Sequence, residues 1–90
     1  MKSKLFDVEE DYGFVVSLIE SVASHHTIHI SQFRGEMNVY ASGDGHFLCA
    51  VYPAEGNDGI KREFRVKGAA GILDWLVAAH WGRFYLEILE

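Results

Sequence analysis

The run Gly68-Ala69-Ala70-Gly71-Ile72-Leu73-Asp74-Trp75-Leu76-Val77-Ala78-Ala79-His80-Trp81-Gly82 reads as one helix set between two strand-like segments. Ile72, Leu76 and Ala79 recur at helical spacing, with Leu73 and His80 alongside. Gly68 fits the N-cap, and Gly82 fits the left-handed residue that ends a helix. Strand, helix, strand is a crossover, so the length of this helix limits where the last strand lands. A helix of ~14 residues covers about 21 Å. Crossing four strand spacings needs roughly 19 Å. The last strand, with Phe84, Leu86 and Ile88 inward, can therefore reach the far side of a meander.

Four strands precede that helix. Thr27 to Phe33 alternates Ile28 and Ile30 with Thr27, His29 and Ser31, the pattern of a half-buried strand. Arg34-Gly35 is a turn. Met37, Val39 and Ala41 then alternate with Glu36, Asn38 and Tyr40. Ser42-Gly43-Asp44-Gly45 is a tight hairpin, because Gly and Asp tolerate positive φ. His46 to Tyr52 is apolar on both faces and reads as a central strand. Pro53 to Gly59 is a loop. From Ile60 to Lys67, Ile60, Phe64 and Val66 alternate with charged residues that suit a sheet edge.

A first helix opens the chain. Val8, Tyr12, Val15, Ile19 and Val22 fall on one helical face, which places it at about 8–24. Asp7 with Glu10 three residues later fits a capping box. Residues 1–6 read as a lead-in whose Leu5-Phe6 staples onto that helix. The expected fold is therefore α+β, in the order α-β-β-β-β-α-β. It is a single domain over residues 1–90, with a five-stranded antiparallel sheet of order 5-1-2-3-4 and both helices on one face. The other face would carry Thr27, His29, Ser31, Asn38, Tyr40, Lys61, Arg65, Tyr85 and Glu87.

Composition excludes several function classes. Thirteen acidic against eight basic residues give a net charge of −5, which disfavours direct binding to nucleic acid or an anionic membrane. No run has the length of a membrane span. Met1-Lys2-Ser3-Lys4 lacks a following apolar segment and does not read as a leader. The single cysteine, Cys49, needs no oxidising compartment. The expected location is the cytoplasm.

Catalytic and cofactor signatures are absent. His25, His26 and His29 form the densest set of potential metal ligands, but zinc wants three or four groups converging tetrahedrally. Their spacing does not place them on one face, so no metal is expected. Cys49 sits in the most apolar strand and reads as core. Gly68-Ala69-Ala70-Gly71 opens a helix after a strand but lacks the full glycine fingerprint. Close packing of helix on sheet accounts for its small residues. The bases Lys61, Arg65 and Lys67 beside Tyr40 and Tyr85 could stack RNA bases, yet a solvated edge explains them as well. No cofactor is implied.

The largest like-charge feature is acidic: Asp7, Glu9, Glu10 and Asp11, extended by Glu20 along the first helix. Dipole compensation fades within one turn, so four carboxylates in five positions point to a basic partner. These five residues, with Tyr40 and Tyr85, are the candidate partner-binding set.

Ile72-Leu73-Asp74-Trp75-Leu76 followed by Phe84-Tyr85-Leu86-Glu87-Ile88 closes a chain that resembles small acidic inhibitor proteins of phages and mobile elements, of the anti-CRISPR kind. The likeness lies in size, charge and the single α+β domain, and it carries over no individual residue. It implies a stoichiometric, non-enzymatic inhibitor that blocks a basic surface of a larger, nucleic-acid-binding complex. It further implies residence in the host cytoplasm. The alternative is a homo-oligomeric structural or regulatory module, such as a homodimer. A small ligand or metal binder using His25, His26 and His29 is a third reading.

Overall fold

Two helices interrupt a run of six strands in the computed structural model, which describes residues 4–22, 25–54 and 61–89. The elements are β1 (Lys4–Asp7), α1 (Tyr12–Val22), β2 (Thr27–Gln32), β3 (Gly35–Ala41), β4 (His46–Pro53), β5 (Arg62–Lys67), α2 (Ala69–Ala78) and β6 (Arg83–Leu89). The expected five-stranded sheet is thereby corrected to six strands, in the order β1-β6-β2-β3-β4-β5. Every pairing is antiparallel.

The added strand is the supposed lead-in. Phe6 pairs with Phe84 and Leu5 with Tyr85. Four residues with one buried side chain offer no alternation to read, and the partner strand lies at the opposite end of the chain. The expected order α-β-β-β-β-α-β becomes β-α-β-β-β-β-α-β for the same reason.

The first helix also starts later than expected. Residues 7–11 form a hydrogen-bonded turn, with the Asp11 N–H donating to the Asp7 carbonyl at 2.9 Å. Val8 is still buried, but its N–H donates to the Gly82 carbonyl at 2.7 Å rather than entering a helix. The expected last two residues of that helix, 23 and 24, lie outside the described residues, as does the Ile60 end of the fourth expected strand.

The second helix ends by a different device from the one its sequence implied. Its left-handed residue is His80, with φ 63, and not Gly82. The Trp81 N–H reaches back to the Leu76 carbonyl at 2.8 Å, and the His80 N–H to the Val77 carbonyl at 3.1 Å. That pair of bonds is a Schellman stop, which brings the residue after the turn against the last helical turn. Trp81 and Leu76 are both buried accordingly. The start is simpler. Gly68 is the N-cap, without a side-chain hydrogen bond.

Both helices pack on the same face of the sheet. Val15 and Ile19 of α1 join Ile72, Leu73 and Leu76 of α2 over Ile28, Ile30, Met37, Val39, Cys49, Phe84 and Leu86. Close approach explains Gly71, where an added Cβ would sit 2.8 Å from the Val66 Cβ. Phe64 is half-buried because β5 is an edge. It stacks on Trp75, with ring centroids 5.3 Å apart. Among the described residues no polar or charged residue is buried. None of their helices is long and apolar enough to cross a membrane.

Candidate functional site: the open face of the sheet

Antiparallel register fixes what the uncovered face carries. One row across the strands reads Leu5, Tyr85, Ser31, Glu36 and Tyr52. The next reads Glu87, His29, Asn38, Ala50 and Glu63, and a third Leu89, Thr27, Tyr40, Leu48 and Arg65. Tyr40, Tyr52 and Tyr85 stay 39%, 41% and 49% exposed, and Leu5 and Leu89 fall in the same range. Tyr85 and Tyr52 stand three strands apart, roughly 14 Å. Tyr40 completes a triangle with them.

Polar groups fill the middle of that triangle. His29 Nε2 lies 2.8 Å from Glu36 Oε1 across β2 and β3. Beside them, Asn38 Oδ1 is shielded from water and has no hydrogen-bond donor.

The acidic turn is divided by the structure. Asp7 Oδ1 accepts the N–H groups of Glu9 and Glu10 at 2.9 and 3.1 Å. Asp11 Oδ2 accepts the Asp7 N–H at 2.9 Å. The backbone N–H groups of Glu10 and Glu9, with the charge of Arg83, hold the Asp7 carboxyl below its usual range. These two aspartates cap the entry to α1 reciprocally. The Glu9 and Glu10 side chains are exposed and take no part in the cap, while Glu20 stands exposed on the helix layer. Tyr40 and Tyr85 share the open face, so the structure does not bring all seven candidates into one patch.

Tyr52, Leu48, Leu5 and Leu89 were missed. Tyr52 had a signal, because Leu48, Ala50 and Tyr52 share one parity in β4. Leu5 had none once β1 was read as a lead-in.

The other candidates separate as well. His29 turns to Glu36, whereas His25 and His26 follow α1 with ring centroids 6.4 Å apart. No group of three or more His, Cys, Asp or Glu side chains that could hold a metal exists among the described residues. Cys49 is buried, and burial pushes its thiol up to about 12. The thiolate needed for nucleophilic chemistry is thus suppressed. Arg65 on the basic strand donates to Asp44 Oδ2 at 3.0 Å, and Lys61 lies 3.3 Å from Glu63. Both are exposed pairs, which contribute little.

No family model matches the chain, and no curated protein or solved structure matches it either.

Proposed function

We propose that this chain is a non-catalytic protein-binding module that seats its open sheet face on a basic surface of a larger protein. The observation that carries the reading is the asymmetry of the sheet. Two helices cover one side, while the other holds three half-exposed tyrosines and two leucines around the His29–Glu36 pair. Tyrosine-rich, partly apolar patches are where interface energy concentrates. The net charge of −5 supplies the sign of the partner. Glu9 and Glu10, free of the cap, add to steering rather than to the contact. Blocking a basic surface is the inhibitory role that the resemblance to anti-CRISPR proteins implies.

The test is quantitative capture from the native host, comparing wild type with Tyr40→Ala/Tyr52→Ala/Tyr85→Ala and with Glu9→Lys/Glu10→Lys. The expected partner is basic, is lost with the tyrosine variant, and associates more slowly with the charge variant and with salt. A partner retained equally by all three proteins overturns the reading.

A second reading has its own support. On the open face, Arg65 and Lys67 lie on the edge strand β5, while Glu87 lies on β6 towards the other edge. A two-fold stacking of two copies, with its axis along the strands, sets one group over the other. A doubled mass in solution that the tyrosine variant halves favours this homodimer over a foreign partner.

A further inference from the structure

The sheet ends in a cleft on the helix side, quite apart from the open face. Its volume is about 340 Å³, within the size range of small-molecule sites. Trp75, Trp81, Val51, Pro53, Arg34 and Arg62 line it. The two indoles meet edge to face with centroids 5.4 Å apart. The Schellman stop of α2 fixes the backbone of Trp81, and stacking on Phe64 fixes Trp75.

The backbone of Arg34 is fixed too. Its N–H donates to Gln32 Oε1 at 2.9 Å, and its carbonyl accepts the Ala54 N–H at 2.9 Å. Gly35 makes this closure possible. Its φ is +150, and a Cβ there would lie 2.6 Å from the Tyr52 carbonyl oxygen. Arg62 arrives from the opposite side, paired with Val51 across β4 and β5.

Charge then singles the cleft out. The chain has thirteen acidic residues against eight basic ones, yet the only charged residues described along this cleft are two arginines. Among the described residues neither guanidinium has a carboxylate within ion-pair distance. The Arg34 guanidinium rests over the Phe33 ring at 5.1 Å. Guanidinium forks match the oxygens of carboxylate and phosphate, and the partly exposed Trp75 indole, backed by buried Trp81, suits a flat apolar body.

We infer that this cleft binds a small oxyanion with a flat apolar body, an aryl carboxylate or aryl phosphate. Arg34 and Arg62 take the anion and Trp75 with Trp81 the ring. The site is independent of the protein-binding face.

The protein's only two tryptophans line the cleft, so its two indole N–H resonances report directly on occupancy. Phenyl phosphate, benzoate, neutral benzamide and cationic benzamidine are titrated into isotope-labelled protein. Saturable shifts of both resonances are expected with phenyl phosphate or benzoate and not with benzamide or benzamidine, and the tighter of the two anions identifies the headgroup. Arg62→Gln and Arg34→Gln should each weaken binding by about tenfold, the loss of one charge-assisted hydrogen bond. Arg65→Gln, whose guanidinium faces Asp44, should leave it unchanged. Equal binding of benzamide, indifference to Arg34→Gln and Arg62→Gln, or no movement of either indole overturns the site. The tyrosine variant of the open face should bind the anion normally, which keeps the two proposals separable.

Discussion

The two faces of the sheet are built from the same strands by the same alternation, yet they meet different surroundings. On the inner side Ile28, Ile30, Met37 and Val39 are fully buried under α1 and α2. On the outer side their immediate neighbours His29, Asn38 and Tyr40 meet solvent or one another. Apolar burial stabilises by about 25 cal/mol per Å², so the covered side supplies the stability. The uncovered side keeps three tyrosines exposed. A small chain that needed only to fold would gain by making that face more polar.

The largest expected effect breaks the inner face. Leu76→Ala removes a fully buried side chain in the last turn of α2 and should cost ~2–5 kcal/mol. Chemical denaturation reads this as a fall in midpoint at constant slope. Tyr85→Ala on the outer face should stay within ~0.5 kcal/mol. Equal losses from the two would mean that the open face is structural.

A smaller effect has the opposite sign. His80 occupies a left-handed conformation, φ 63, where glycine is favoured. His80→Gly should raise stability by ~0.5–1 kcal/mol, the usual gain from glycine at this helix-ending position. A loss would show that the His80 side chain makes a contact of its own.

The acidic turn sharpens the contrast between cap and surface. Asp7→Ala removes the acceptor for two backbone N–H groups and should lower the melting temperature measurably. Glu9→Gln and Glu10→Gln, outside the cap, should leave it unchanged and slow partner association.

The smallest effect appears in acid. The Ser42 hydroxyl and the His46 N–H hold the Asp44 carboxyl down at about 2, from an ordinary 3.8. A lowered folded value stabilises the native state fully above the ordinary value. That share is lost as pH falls towards about 2. The stability difference between wild type and Asp44→Asn should therefore be constant above pH 4 and shrink below it. A difference that ignores pH in that window would show that Asp44 does not close the hairpin.

Sequence reading succeeded where a local pattern carried the information. The alternation of Ile28 and Ile30, or of Met37 and Val39, fixes which face is buried without any tertiary knowledge. The crossover length of the Trp75 helix limits where β6 can lie. Three features depended on contacts distant in sequence. Lys4–Asp7 is a strand only because β6 offers it an edge. Val8 repeats at helical spacing with Val15 and Ile19, but its N–H donates to the Gly82 carbonyl instead of entering the helix. The Arg34–Arg62 cleft joins a turn, a strand start and a helix end that no spacing rule links. The tyrosine face was half legible, since Tyr40 and Tyr85 follow from alternation while Tyr52 hid in a strand read as buried on both sides.

The place of β6 has a consequence for how the molecule is made. It is the last element of the chain, and it lies between β1 and β2. During synthesis the hairpins of β2 to β5 can form as they emerge, because their partners are close in sequence. The pairing edges of β1 and β2 have nothing to hold until residues 83–89 leave the ribosome. Only then does one strand join the two edges, much as a keystone joins two sides of an arch. Nascent chains stalled before β6 should consequently expose two open strand edges, the form in which a β-rich chain is most prone to aggregate.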